Sequence, residues 1–155
     1  MHTVAEKSTG QKKETTRHLI HSMLQLRDEL RQFMQKKFRE NNVDLTYEMH
    51  QVMACLWKKD GINQQELADL TLRDKAAITF LIDNLSKRDL VTRQQDSADR
   101  RSKLICLTNK GRQLGKTVRP WVDELFTLAG NGITAANLKE CMETIERMRA
   151  NVEAS

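Results

Sequence analysis

One proline and six glycines in 155 residues exclude a collagen-like or low-complexity chain. The three cysteines, Cys55, Cys106 and Cys141, are odd in number and lack CxxC spacing, which argues against a disulfide framework or a zinc ribbon. Each is read as a small apolar packing residue. No apolar run approaches the ~20 residues needed to cross a bilayer, and the opening MHTVAEKSTGQK lacks the apolar centre of a signal peptide. A cytoplasmic protein with no membrane partner is the expectation. Nor is there a convincing nucleophile–base pair, phosphate-binding loop or metal quartet, so neither an enzyme nor a cofactor is expected.

What the sequence does contain is charge and helical periodicity. It is 39% hydrophobic and 30% charged, with net charge +5, long enough for one domain with a real core. Nine basic and three acidic residues fall between Lys87 and Lys116, so this segment carries +6 and the rest of the chain −1. A basic focus on a nearly neutral body points to a localised surface for a polyanion.

Apolar residues Leu19, Ile20, Met23, Leu24, Leu26, Leu30, Phe33, Met34 and Phe38 recur mostly at three- and four-residue spacing, predicting a long amphipathic helix. It is too long for a small core to cover, so part of its stripe is expected to meet a partner chain. Three shorter helices follow, with Thr46, Asn63 and Asp74 as caps and Asp60-Gly61 stopping the first. The last two, joined by about three residues, have helix-turn-helix spacing. LVTRQ (90–94) and KLICL (103–107) read as two strands around a polar connection, with the second strand covered on both faces. Thr108 caps a further helix in which Pro120 predicts a kink or restart. A Gly130-Asn131-Gly132 break precedes a last helix capped by Thr134. The fold class is thus mostly α (α+β), a winged helix-turn-helix with a two-stranded hairpin wing.

In a winged helix the second helix of the pair enters the major groove of double-stranded DNA and the wing reaches an adjacent groove. Arg73 and Lys75 stand at that helix's start, where the dipole favours phosphate. Ala76, Phe80 and Asp83 lie opposite its apolar face with Thr79 at the flank, and Ala76 and Thr79 are small enough for a thymine methyl or base edge. Arg93, Arg100, Arg101 and Lys103 crowd the wing, where guanidinium groups suit phosphate or a narrow minor groove. Asp96 and Asp99 are expected to pair with an arginine and aim it.

The segment DGINQQELADLTLRDKAAITFLIDNLSKRDLVTRQQDSADRRSKLICLTNKG resembles the MarR family of bacterial regulators, whose winged helix closes with D..DRR…LT..G, here Asp96, Asp99, Arg100, Arg101, Leu107, Thr108 and Gly111. The resemblance covers about residues 45 to 115. It implies a homodimer built from the first and last helices, binding a pseudo-palindrome, commonly as a repressor released by a small phenolic or other aromatic ligand. It also implies Arg100 in the minor groove, Asp99 orienting it, and Arg101 on phosphate or in the same ion pair. Two residues depart from the family pattern: Asp89 where glycine is usual, and Phe80 where a polar or basic residue is common.

The resulting domain plan is a flexible tail at 1–12, an N-terminal dimerisation helix at 13–42, the winged helix at 45–112 and C-terminal helices at 113–155 completing the dimer. A ligand pocket between the dimer helices and the DNA-reading domain would touch Leu24, Met53 or Trp57, which also read as plain core residues. His18, His21 and His50 raise a metal-responsive alternative, but no acidic or cysteine ligand accompanies them, and no metal site is expected. A winged-helix module that binds protein and not an operator is the other alternative, with Phe80 as its support.

Overall fold

A computed structural model describes residues 3–155. Its elements are α1 (Thr3–Glu40), α2 (Tyr47–Lys58), β1 (Ile62–Asn63), α3 (Gln64–Thr71), α4 (Lys75–Lys87), β2 (Val91–Gln95), β3 (Lys103–Leu107), α5 (Asn109–Ala129) and α6 (Ala135–Glu153). Of the tail expected over 1–12, the first two residues lie outside the described residues, and from Thr3 the backbone is helical. The start of the first helix therefore moves from residue 13 to Thr3.

Local capping chemistry sets the other starts. The side chains of Thr46, Asn63, Asp74, Thr108 and Thr134 accept the amide N–H three residues on, from Met49, Glu66, Ala77, Gly111 and Asn137. Each of these five caps is the one anticipated from sequence. Pro120 departs from expectation: α5 continues through it without restarting. Pro120 and Lys116, the residue whose carbonyl loses its helical donor, are both exposed, so water can take that carbonyl.

The sheet has three antiparallel strands in the order β1-β3-β2. β1 adds a strand to the two foreseen and pairs Ile62 with Ile105. Cross-strand partners share a face, so Val91, Arg93 and Gln95 lie on the side of Leu107, Ile105 and Lys103. That side is buried at Val91, Ile105 and Leu107. The opposite side is only half-covered at Leu104 and Cys106 and exposed at Thr92 and Gln94, a correction to the expectation of cover on both faces.

The core joins Val52, Met53 and Leu56 of α2, Leu67 and Ala68 of α3, and Ile78, Ile82 and Leu85 of α4 to the buried strand face. Each large aliphatic among them contributes ~1.5–3 kcal/mol by leaving water. Only the C-terminal part of α1 enters this core, through Met34 and Phe38, while Leu19, Ile20, Leu24 and Leu26 stay 41–55% exposed. The chain divides into two compact units, one ending at Trp121 and the other Val122–Ser155. Within the second, α6 has no buried residue.

Candidate nucleic-acid interface

The α3–α4 turn is made by Leu72, in the left-handed region at φ 53°, and Arg73, whose backbone N–H returns to Ala68 O. Asp74 then starts α4. Lys75, Ala76 and Phe80 project into solvent, Phe80 being 67% exposed. Thr79 is half-buried, its hydroxyl donating to Lys75 O and accepting from the Gln64 amide at 2.6 Å. Arg73 is also half-buried: it donates to Gln51 Oε1 at 2.7 Å, and its Nε is buried with no partner among the described residues. The turn arginine therefore braces α3–α4 against α2, and Thr79 ties α3 to α4.

The wing is a closed loop. Asp96 N–H donates to Ser102 O, and Ser102 N–H to Asp99 O. The Asp96 and Asp99 carboxylates accept the N–H groups of Ala98 and Arg101, each at 2.9 Å. Gln95 Nε2 donates to Arg100 O at 2.7 Å. Neither Asp96 nor Asp99 pairs with an arginine side chain here: both fix the loop backbone instead. Arg100, Arg101 and Lys103 are left exposed and form no ion pair among the described residues. Arg93, grouped with them on sequence, differs, because its guanidinium pairs with Asp83 of α4.

Behind the wing, Asp60 joins three elements. Its Oδ1 accepts the N–H groups of Gly61 and Leu107, and its Oδ2 accepts Arg112 at 2.9 Å, linking the end of α2 to β3 and α5. Trp57 Nε1 donates to Gly111 O at 2.9 Å. A Cβ on Gly111 would sit 2.2 Å from Leu90 O, so α5 can approach the β2 entry only with glycine there. Asp89 adopts φ 57°, the left-handed turn that the family's glycine would make, and its carbonyl accepts the Thr108 hydroxyl. Asp60, Gln51, Gln64 and Arg112 were not singled out by sequence reasoning. Only Asp60 left a trace, as part of a helix stop.

Met53 is fully buried, Trp57 is bonded to Gly111, and Leu24 is 47% exposed on α1. An open cleft of about 610 Å³ lies elsewhere, with Val43, Leu90 and Leu114 beside Arg88, Lys110 and Lys116. His50 is buried in an aromatic nest, its ring centroid 5.6 Å from Phe38, 6.0 Å from Tyr47 and 5.9 Å from Trp57. Neither ring nitrogen has a partner among the described residues, and burial pushes the imidazole pKa from 6.5 down to about 4. Burial also raises the Cys55 and Cys106 thiols, away from thiolate reactivity. His18 pairs with Glu14 along α1. Among the described residues no three His, Cys, Asp or Glu side chains gather as a metal site.

Comparison with known proteins agrees with this geometry. The sequence model of the MarR family matches residues 45–103. The transcriptional regulator HosA of Escherichia coli O157:H7 is 31% identical over 104 residues, 63% of this chain and 77% of HosA. Staphylococcus aureus MepR, solved as a DNA complex, superposes with TM-score 0.76 at 22% identity, over 84% of this chain and 96% of MepR. BpsR of Bordetella bronchiseptica, studied for regulation of its DNA binding by 6-hydroxynicotinic acid, gives TM-score 0.71 at 21% identity, over 85% and 98% of the two chains. The capped helix pair and the wing tip thus lie within the matched residues, and the chain belongs to the MarR family of winged-helix regulators.

Proposed function

We propose that the protein is a cytoplasmic homodimeric repressor of pseudo-palindromic operators, released by a small aromatic acid. The observation that carries the DNA-binding reading is the wing tip. Two aspartates stand beside Arg100 and Arg101, yet they bind the loop backbone and leave the guanidinium groups unpaired among the described residues. A rigid loop with unpaired arginines suits insertion into a minor groove. In this reading Arg100 enters the groove, Arg101 and Lys103 meet phosphates, and Lys75, Ala76 and Phe80 approach the major groove, Phe80 through a thymine methyl or sugar. Arg73, Thr79 and Arg93 support this surface from behind.

The uncovered Leu19, Ile20, Leu24 and Leu26 on α1, and Leu138, Met142 and Val152 on α6, supply apolar surface for a second copy of the chain. The 6-hydroxynicotinic acid of BpsR motivates the effector class. In this chain Arg88 of the cleft is paired with Asp44, while Lys110 and Lys116 beside Val43, Leu90 and Leu114 suit an aromatic carboxylate.

Selection of bound duplexes from random DNA identifies the operator. Arg100→Ala is then expected to weaken operator binding by about 1–3 kcal/mol and to lower the slope of log K against log[KCl] by about 0.9. Unchanged affinity and slope refute the assignment. The second reading, a protein-interaction module, rests on the exposure of Phe80. It is favoured if no duplex is preferred over random DNA at moderate salt.

A further inference from the structure

We infer that Asp83 and Arg93 are positioning residues, which set the wing at its working angle to α4, and that Arg93 makes no DNA contact. The inference rests on the DNA-binding reading above. Among the described residues, the Asp83–Arg93 pair is the one side-chain hydrogen bond or ion pair joining α4 to the β2–β3 hairpin. Strand register explains why Arg93 is available for it. Arg93 stands opposite the buried Ile105, two residues beyond the buried Val91, so it continues the core face of β2 at the point where the sheet leaves the core. Its side chain is 29% exposed, less than the 48% of Asp83.

Two residues further along the same face, Gln95 holds the Arg100 carbonyl. The tip is closed in turn by the Asp96 and Asp99 caps. A line of contacts therefore runs from α4 through Arg93 and Gln95 to the backbone of Arg100. Its anchor sits at the base of a lever. From Arg93 to the tip is about 13 Å of strand, so a tilt of about 10° displaces the tip by roughly 2 Å, more than a directional hydrogen bond tolerates. Holding Arg93 in the pair also neutralises Asp83 on the flank of the helix that faces DNA.

The two accounts of this pair predict opposite results. If charge alone matters, neutralising Asp83 removes a repulsive carboxylate and tightens binding; if the pair sets the wing angle, the same change weakens it. The test uses the full chain, the duplex recovered by selection and fluorescence anisotropy across a KCl series. Asp83→Asn, which keeps the side-chain shape, and Arg93→Ala are each expected to weaken binding about 10-fold, with the salt slope unchanged. The exchange Asp83→Arg with Arg93→Asp is expected to recover most of the loss.

A DNA-free arm follows hydrogen exchange at the amides of Asp96, Ala98, Arg101 and Ser102, which should quicken in Asp83→Asn while α4 stays protected. Tighter or unchanged binding by Asp83→Asn, or a slope lowered by about 0.9 in Arg93→Ala as for a lost phosphate contact, overturns the inference. If the unmodified chain prefers no duplex, the DNA-binding reading falls first. Unchanged wing exchange in Asp83→Asn then rejects the strut independently.

Discussion

His50 should make the stability of the packed interior depend on pH. It is 8% exposed and surrounded by Phe38, Tyr47 and Trp57, and neither nitrogen has a partner among the described residues. The ring is thus held neutral, with its pKa lowered from 6.5 to about 4. Between those values the unfolded chain binds a proton that the folded chain refuses, so stability present above pH 6.5 is lost as pH falls towards 4. At about 1.4 kcal/mol per unit the full loss is about 3 kcal/mol, of which about 2 kcal/mol has gone by pH 5. His50→Phe keeps an aromatic ring in the nest and deletes both unpartnered nitrogens, so at pH 7.5 it should be at least as stable as the unmodified protein. Urea unfolding of both at one protomer concentration, from pH 7.5 to 4.5, isolates the effect, because the other titrating groups cancel in the difference. The unmodified protein is expected to lose about 2 kcal/mol relative to His50→Phe between pH 7.5 and 5. Parallel curves, or an imidazole titrating near its ordinary value by NMR, would refute the reasoning.

Two glycine substitutions should have opposite signs. Gly111→Ala drives a methyl into Leu90 O, and about 1–3 kcal/mol of strain outweighs the helix-propensity gain, so thermal denaturation should show a lower Tm. Gly10→Ala meets nothing within 4 Å on α1 and should raise stability by up to about 1 kcal/mol. Asp60→Asn keeps one acceptor but cannot serve Gly61, Leu107 and Arg112 with full charge; urea unfolding should show a loss of about 1–3 kcal/mol. Equal Tm values for the two glycine variants, or an Asp60→Asn curve superimposed on that of the unmodified protein, would remove these packing assignments.

The outcome at particular residues shows what could be read in advance. Caps are local, a side-chain oxygen meeting an amide three residues on, and Thr46, Asn63, Asp74, Thr108 and Thr134 were all legible for that reason. The apolar faces of α2 and α4 were legible through their period. β1 was not, because two residues carry no period and its pairing partner lies more than forty positions away. Asp96 and Asp99 could equally pair with neighbouring arginines or turn onto their own loop, and composition does not separate the two. The backbone amides of Ala98 and Arg101, two residues on, are nearer and already fixed, whereas an exposed ion pair must immobilise a long arginine for ~0–1 kcal/mol. The pairing of Arg93 with Asp83 was hidden for a related reason: charge density marks the wing, while the core-facing position of Arg93 emerges only from the β2–β3 register. Asp60 was hidden because its partners Leu107 and Arg112 are distant in sequence.

The central claim is that α4 and the wing of each protomer occupy neighbouring grooves of one duplex, and that two protomers span a pseudo-palindrome. Hydroxyl-radical footprinting on the selected operator tests it most directly. Two equivalent protected segments, centred about one helical turn (~10 bp) apart, are predicted, each flanked by a minor-groove protection that disappears in Arg100→Ala while the central protection persists. A single continuous footprint without twofold symmetry, or a flanking protection that survives the loss of Arg100, would contradict it.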